Sequence, residues 1–389
     1  MAKPNDSPAS DRGPETSGSR PYRRVVVKLG SNLLAGADRG LDLDCMASLV
    51  RQIARIREDG VEVVLVSSGA MASGRAILGR VPERRGVPLK QVLASVGQGR
   101  LMQAYDRLFG EHGITVAQAL VSRGDLSDRL GYLNVRNTLN TLLELGVQPI
   151  VNENDVVAVE EIKGTRFGDN DNLSAMVANL VDADLLMILS DVAGLYTSDP
   201  SLNPNANLVP RVEEIDETIT SLAGGTKSSE AVGGMVTKLQ AASLATASGV
   251  DVVIARGRME EVIPRLARRE GLGTFFPRQT TKMESRKRWM LSGLNSRGSV
   301  RVDGGAVSAI RKGGKSLLPA GVVEVSGSFE RGDVLIILDG EGTRIACGLA
   351  NYGAGDAKAI AGKNSGRIIE ILGYEYGSEL VHRDNLVLL

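Results

Sequence analysis

The run Val25-Val26-Val27-Lys28-Leu29-Gly30-Ser31 reads as a short buried strand that carries a lysine near its end and opens into a small-residue turn. Burying an unpaired ammonium is expensive. One reading is a lysine that snorkels out of a strand end. The other places Lys28 over phosphates, with Gly30 and Ser31 offering backbone N–H groups to the same oxygens. Outward from this strand the chain alternates. Leu43, Met46, Val50 and Ile53 keep a helical spacing, and Gly60 stands where a C-cap belongs. Val61–Val66 predicts the next strand. Further helices are expected near Leu89–Phe109, Val135–Leu145, Leu173–Val181 and Met235–Ser248, and strands at Ile114–Gln118, Pro149–Val151, Leu185–Leu189 and Val252–Ala255. Strands alternating with helices imply an α/β fold, a three-layer sandwich with a mostly parallel sheet covered on both faces. Ligands in such sheets sit at the carboxyl ends of the strands.

Composition bounds the function. A chain of 389 residues predicts two domains. Lys+Arg and Asp+Glu both number 46, so zero net charge gives no general attraction to nucleic acid or to an acidic membrane. Aromatic residues at 3% leave little for base stacking. Cys45 and Cys347 are far apart, fit no metal spacing and read as buried small hydrophobes in a reducing compartment. No metal site is expected from side chains. No apolar run approaches the ~18 residues of a membrane span, so no membrane partner is expected and the chain should be cytoplasmic. Residues 1–21, rich in Pro, Ser, Gly and charge, read as a disordered tail. The alternating α/β pattern fills residues 22–276. Residues 277–294, with the basic stretch Arg278–Arg288, read as a solvated linker. Residues 295–389 show short apolar runs split by glycines, at Gly321–Val325, Val334–Leu338, Ile368–Leu372 and Leu386–Leu389, and predict a small β-rich domain.

Polar motifs fall at the strand ends. Ser67-Ser68-Gly69-Ala70 would let a ligand approach the backbone, although Ser-Gly turns are common. Asn152-Glu153-Asn154-Asp155 could be a solvated turn or could read the ammonium of an amino-acid substrate, with Asp155 carrying the charge for it. Gly168-Asp169-Asn170-Asp171-Asn172 precedes a helix. One cap residue would suffice there, and four successive Asp/Asn point to a ligand. Ser190-Asp191 opens a loop suited to nucleotide contact. Gly233-Gly234-Met235-Val236-Thr237-Lys238 leads into a helix, an anion-binding arrangement with Lys238 one turn inside. Gly313-Gly314-Lys315-Ser316 lacks the first glycine of a Walker A loop, because Ala309 stands there. The only histidines, His112 and His382, lie outside these motifs. A carboxylate acceptor fits that scarcity. It is already ionised at neutral pH and needs no general base.

Taken in order, Val-Val-Lys-Leu-Gly, Ser-Ser-Gly-Ala, Ile-Val-Asn-Glu-Asn-Asp, Gly-Asp-Asn-Asp-Asn and Gly-Gly-Met-Val-Thr-Lys resemble the amino-acid kinases, and the C-terminal part resembles a PUA domain. The resemblance covers residues 24–389 and implies ATP-dependent phosphorylation of the side-chain carboxylate of L-glutamate to L-glutamyl 5-phosphate, the first step of proline synthesis. It implies that Lys28 and Lys238 stabilise the transferring phosphoryl group, that Asp171 holds both lysines, and that Ser68, Asp155 and Asn170 bind glutamate. ATP would contact Lys28, Ser190, Asp191, Val232, Gly233, Gly234, Met235, Val236, Thr237 and Lys238, with Mg2+ riding on its phosphates. It further implies inhibition by proline, a homo-oligomer and a glutamyl phosphate reductase as partner. Val232 replaces a threonine often found before Gly-Gly, and Lys163–Phe167 is longer than in some relatives. RNA binding by the small domain is the rival role. Eleven basic against eleven acidic residues over 295–389 argue against it.

Overall fold

The computed structural model describes residues 21–36, 40–79, 87–157, 170–223, 234–284 and 298–389. Residues 1–20 of the expected tail, the 163–167 stretch, Gly168, Asp169, Val232, Gly233 and residues 285–297 lie outside the described residues.

A seven-stranded sheet forms the centre of the larger domain: β1 (Arg24–Leu29), β2 (Glu62–Ser67), β3 (Val116–Val121), β4 (Gln148–Glu153), β5 (Leu185–Ser190), β6 (Asp251–Arg256) and β7 (Thr274–Phe276). Their spatial order is β3-β4-β2-β1-β5-β6-β7, parallel except for the antiparallel β6–β7 pair at one edge. The central strands are apolar on both faces, as a parallel sheet covered by helices requires. Val25, Val27 and Leu29 join the core formed with α2 (Leu43–Glu58) and α4 (Val87–Gly110). Val26 joins the opposite core, formed with α7 (Asn170–Leu180) and α9 (Met235–Ala247). Strand side chains alternate. Lys28 therefore shares the face of Val26 and points to the side on which α7 and α9 pack. Its strand lies between β2 and β5, with Lys28 registered against Val66 and Ile188.

Helix α3 (Ala70–Leu78) follows β2; it buries Ala70, Ser73 and Gly74 while Ile77 and Leu78 stay exposed, so its large apolar residues do not mark its buried face. It crosses α4 backbone to backbone. A Cβ on Gly74 would lie 1.9 Å from Leu93 O, and one on Gly97 would lie 1.8 Å from Ala70 O. Only glycine permits that approach. Short helices α1 (Ser31–Leu34), α5 (Arg123–Ser127), α8 (Glu217–Leu222) and α10 (Val262–Ala267), and the longer α6 (Arg129–Glu144), complete the larger domain among the described residues. No helix there is long and apolar enough to cross a membrane.

The smaller domain is built on a sheet of β8 (Gly298–Val302), β9 (Val322–Gly327), β10 (Val334–Leu338), β11 (Arg344–Leu349) and β12 (Leu386–Leu388), in the order β12-β11-β10-β8-β9. Helices α11 (Gly304–Gly313), α12 (Ala354–Ile360) and α13 (Ile368–Leu372) accompany it. The last corrects an expectation. Ile368–Leu372 reads as a strand-like apolar run but forms a helical turn that buries Ile368 and ends at Gly373, φ +81. Five apolar residues are too few to separate the two periods.

Most described residues of the expected linker, 277–284, are exposed, and two of them tie it to the larger domain. Arg278 N donates to Asp251 Oδ1 at 3.0 Å, and Lys282 Nζ reaches Asp184 Oδ1 at 2.5 Å. The two domains meet on α6. Leu133, fully buried, packs with Val334, Ile336, Cys347, Leu349 and Val387 of the small domain. Arg331 Nη1 donates to Asn134 Oδ1 at 2.6 Å, and a Cβ on Gly332 would lie 3.0 Å from Leu130 Cα. Both cysteines are free and buried, Cys45 in the large core and Cys347 at this joint.

Candidate active site

The carboxyl ends of β1, β2, β4 and β5 and the first turns of α7 and α9 converge on one cluster. Asp171 sits in the first turn of α7, where a carboxylate complements the positive end of the helix dipole. It is not a solvent-facing cap, because it is 0% exposed. Lys28, 3% exposed, contacts Asp171 Oδ1, and Lys238, 5% exposed, lies 3.3 Å from Oδ2. Thr237 Oγ1 donates to Oδ2 at 3.0 Å. Burial by itself would raise the Asp171 carboxyl. The charges of Lys28 and then Lys238, with the lysine and threonine hydrogen bonds, overcome that and hold it below the usual carboxylate range. One buried anion thus fixes two buried cations, which would otherwise repel each other.

The backbone around this trio is open to an anion. Gly30 lies directly in front of the Lys28 ammonium: a Cβ there would be 3.7 Å from Nζ and 3.4 Å from Leu189 O. Any side chain would fill the space over the charge. Gly234 takes the N-cap position of α9 in extended geometry, and no side chain caps that helix among the described residues. Its first-turn N–H groups and Lys238 therefore point at the same region. Met235 packs its side chain on the core and Val236 is 40% exposed, so their contribution would come from the backbone. Ser190 is buried at the end of β5, its Oγ accepting from Val192 N at 3.2 Å. The neighbouring Asp191 is exposed and accepts from Asn32 Nδ2 at 3.3 Å.

A neutral polar network adjoins the trio through α7. Asn170 Nδ2 donates to Ser68 Oγ at 2.9 Å and to Asn152 Oδ1 at 3.1 Å, and Asn152 Nδ2 donates to Gln98 Oε1 at 2.8 Å. Two buried atoms of this network, Asn170 Oδ1 and Gln98 Nε2, have no hydrogen-bond partner among the described residues. Native proteins pair such atoms, and here one acceptor and one donor are presented together. Asp155 lies half-buried on the turn after β4. The structure thus groups Lys28, Lys238, Asp171 and Thr237 in one network and Ser68 and Asn170 in the next. Asp155, Ser190 and Asp191 sit on adjoining turns. Gln98 escapes sequence reading because a glutamine on a long helix is ordinarily solvated. Its position after Gly97, at the close crossing with α3, is the signal that could have found it.

The donors gathered here are ammonium and N–H groups, suited to phosphate oxygens. Among the described residues no three His, Cys, Asp or Glu side chains come together as a metal cage. A magnesium ion in this setting would be held mainly by the nucleotide's own phosphate oxygens.

Comparison with known proteins follows the same line. Residues 23–256 match the amino acid kinase family and residues 298–372 match the PUA domain. A glutamate 5-kinase of Dehalococcoides mccartyi is 53% identical, over 95% of this chain and 99% of that protein. Glutamate 5-kinases of Herpetosiphon aurantiacus and Pseudomonas putida are 50% and 49% identical, each over 94% of this chain and 98% of its own.

Proposed function

The chain belongs to the amino acid kinase family, and from that premise we propose that it transfers the γ-phosphoryl group of ATP to the side-chain carboxylate of L-glutamate. The observation that carries this reading is Asp171 buried between Lys28 and Lys238 at the N-termini of two helices. A carboxylate oxygen attacks the γ-phosphorus, the bond from that phosphorus to the β,γ-bridging oxygen breaks, and ADP leaves with the electron pair. The product is L-glutamyl 5-phosphate, a mixed anhydride. No proton has to be removed from the nucleophile, whose pKa is about 4.3. The obstacle is repulsion between two anions and the charge that develops on the equatorial and leaving oxygens. Lys28 and Lys238 neutralise that charge from fixed positions. Because Asp171 already orients them, little reorganisation is needed during transfer. Magnesium bound to the ATP phosphates would supply further neutralisation.

Ser68, Asn170 and Asp155 are the proposed glutamate contacts. Supporting this, Asn170 bridges Ser68 and Asn152 and presents an unpaired acceptor, and Asp155 offers a charge for the substrate ammonium. Ser190, Asp191 and the segment 232–238 are proposed to hold ATP. Proline inhibition at the glutamate site, a homo-oligomeric assembly, delivery of the labile product to a glutamyl phosphate reductase and a cytoplasmic setting complete the proposal. The charge balance of residues 295–389 argues against RNA binding by the small domain.

Hydroxamate trapping of the acyl phosphate, with and without proline, tests the reading. Glutamate should yield hydroxamate in an ATP-dependent way and proline should suppress it. A coupled ADP-release panel that shows phosphorylation of UMP or aspartate in preference to glutamate would overturn it.

A further inference from the structure

Helix α7 carries a second charge cluster at its other end, which phosphoryl transfer leaves unused. The helix closes with Val181 N on Val177 O and Ala183 N on Ala178 O, both at 2.9 Å, and Asp182 between them adopts φ +51. That left-handed position normally belongs to glycine. Three successive carbonyls there each receive a cation from a different part of the chain. Leu180 O accepts from Arg136, Val181 O from Arg24, and Asp182 O from Lys282 Nζ at 2.6 Å. Cations favour helix C-termini, yet Arg136 does more than cap. Its side chain is 1% exposed, contacts the Asp182 carboxylate, and donates through Nη2 to Asp384 O of the small domain at 3.1 Å. One guanidinium joins α6, the end of α7 and the turn before β12. Its planar fork fixes directions that a lysine cannot.

The helix between the two clusters has 11 residues, a rigid rod of about 16 Å. Its apolar face is closely packed against the sheet and α9, so a shift at one end is carried to the other. At the first turn, Asp171 has to lie within contact of both lysines at once.

We propose that Arg136 is a positioning residue for phosphoryl transfer: by clamping the C-terminal end of α7 to the small domain, it fixes Asp171 between Lys28 and Lys238. The inference rests on the roles proposed for those lysines. It gives the small domain a part in turnover without any contact to substrate.

The test compares Arg136→Lys with Arg331→Ala, which removes another hydrogen bond of the same domain joint without touching α7. Arg136→Lys should lower kcat about tenfold or more while leaving KM for glutamate and for ATP within about threefold, because a displaced Asp171 weakens transition-state rather than ground-state interactions. Arg331→Ala should keep kcat within about twofold. A folded Arg136→Lys enzyme with parental kcat overturns the inference, as does an equal loss in both variants. If Arg136→Lys does not fold, Asp182→Asn carries the test, since it removes the charged partner and keeps its shape. The same drop in kcat is expected there, and a parental kcat overturns the proposal. Lys238→Ala run alongside separates the two levels. Parental kcat in that variant would sink the lysine roles themselves, whereas a crippled Lys238→Ala beside a fully active Arg136→Lys sinks only the clamp.

Discussion

At its first turn α7 buries Asp171 against Lys28 and Lys238; just past its last turn it holds Asp182 against Arg136, with Lys282 on the Asp182 carbonyl. Both ends set an aspartate among cations, and the choice of cation separates their tasks. Lysine is a compact point charge that one carboxylate can hold in place beside a phosphoryl group. Arginine locks several acceptors into one geometry. The lysine end faces open backbone at Gly30 and Gly234. The arginine end faces three filled acceptors on two chain segments. A charge cluster suited to chemistry keeps room for a ligand beside its point charges, and a charge cluster suited to bracing fills that room with acceptors.

The largest effect should come from breaking the lysine end at its centre. Asp171→Asn leaves two buried ammonium groups without their anion and should lower kcat by about 10³-fold, read in the hydroxamate assay. It should also destabilise the fold by about 3 kcal/mol in urea denaturation. The pH dependence has a definite sign. The folded Asp171 carboxyl is held below its ordinary value, so its contribution is complete above the unfolded pKa of about 3.9 and is lost as pH falls through the lower folded value. The stability gap between parent and variant should stay constant from neutral pH to about 4 and narrow below it. A gap that instead widens on acidification would mean that Asp171 is protonated in the folded protein.

Next, Lys238→Ala should reduce kcat by about 10²-fold with little change in the glutamate KM. Asp155→Ala, on a turn outside the charged trio, should do the reverse, raising the glutamate KM about tenfold with kcat within about threefold. If the two patterns exchange, the division between phosphoryl and glutamate contacts is misassigned. The smallest effect sharpens the bracing end. Lys282→Ala removes a hydrogen bond to the Asp182 carbonyl and the ion pair with Asp184 but leaves Arg136 in place, and should cost about 1–2 kcal/mol of stability with kcat within about twofold. Thermal melts and steady-state rates on the same sample would check both.

The sheet was legible because a buried parallel strand is an apolar run, and Val25–Leu29 and Leu185–Leu189 read that way directly. Lys28 stood out as a charge inside such a run, and the row of four Asp/Asn at 169–172 as more capping residues than one helix needs. Residues whose meaning depends on a distant partner stayed hidden. Gln98 faces Asn152 from 54 positions away, and Arg136 meets Asp384 from 248 positions away. No local period records either contact. Helix α3 stayed hidden for a related reason: the face it buries in the close crossing with α4 is made of Ala70, Ser73 and Gly74, small residues whose role only the distant partner reveals.

That crossing sets a limit on how this protein can be altered. Replacing a mid-helix glycine with alanine ordinarily gains about 1 kcal/mol from helix propensity, and stability engineering favours such changes. Gly97 is mid-helix and would be an obvious choice. Here the added methyl would lie 1.8 Å from Ala70 O, and the helix would have to move away, carrying Gln98 with it. A substitution selected for stiffening the scaffold would therefore register first in the hydrogen-bond network of Gln98, Asn152 and Asn170.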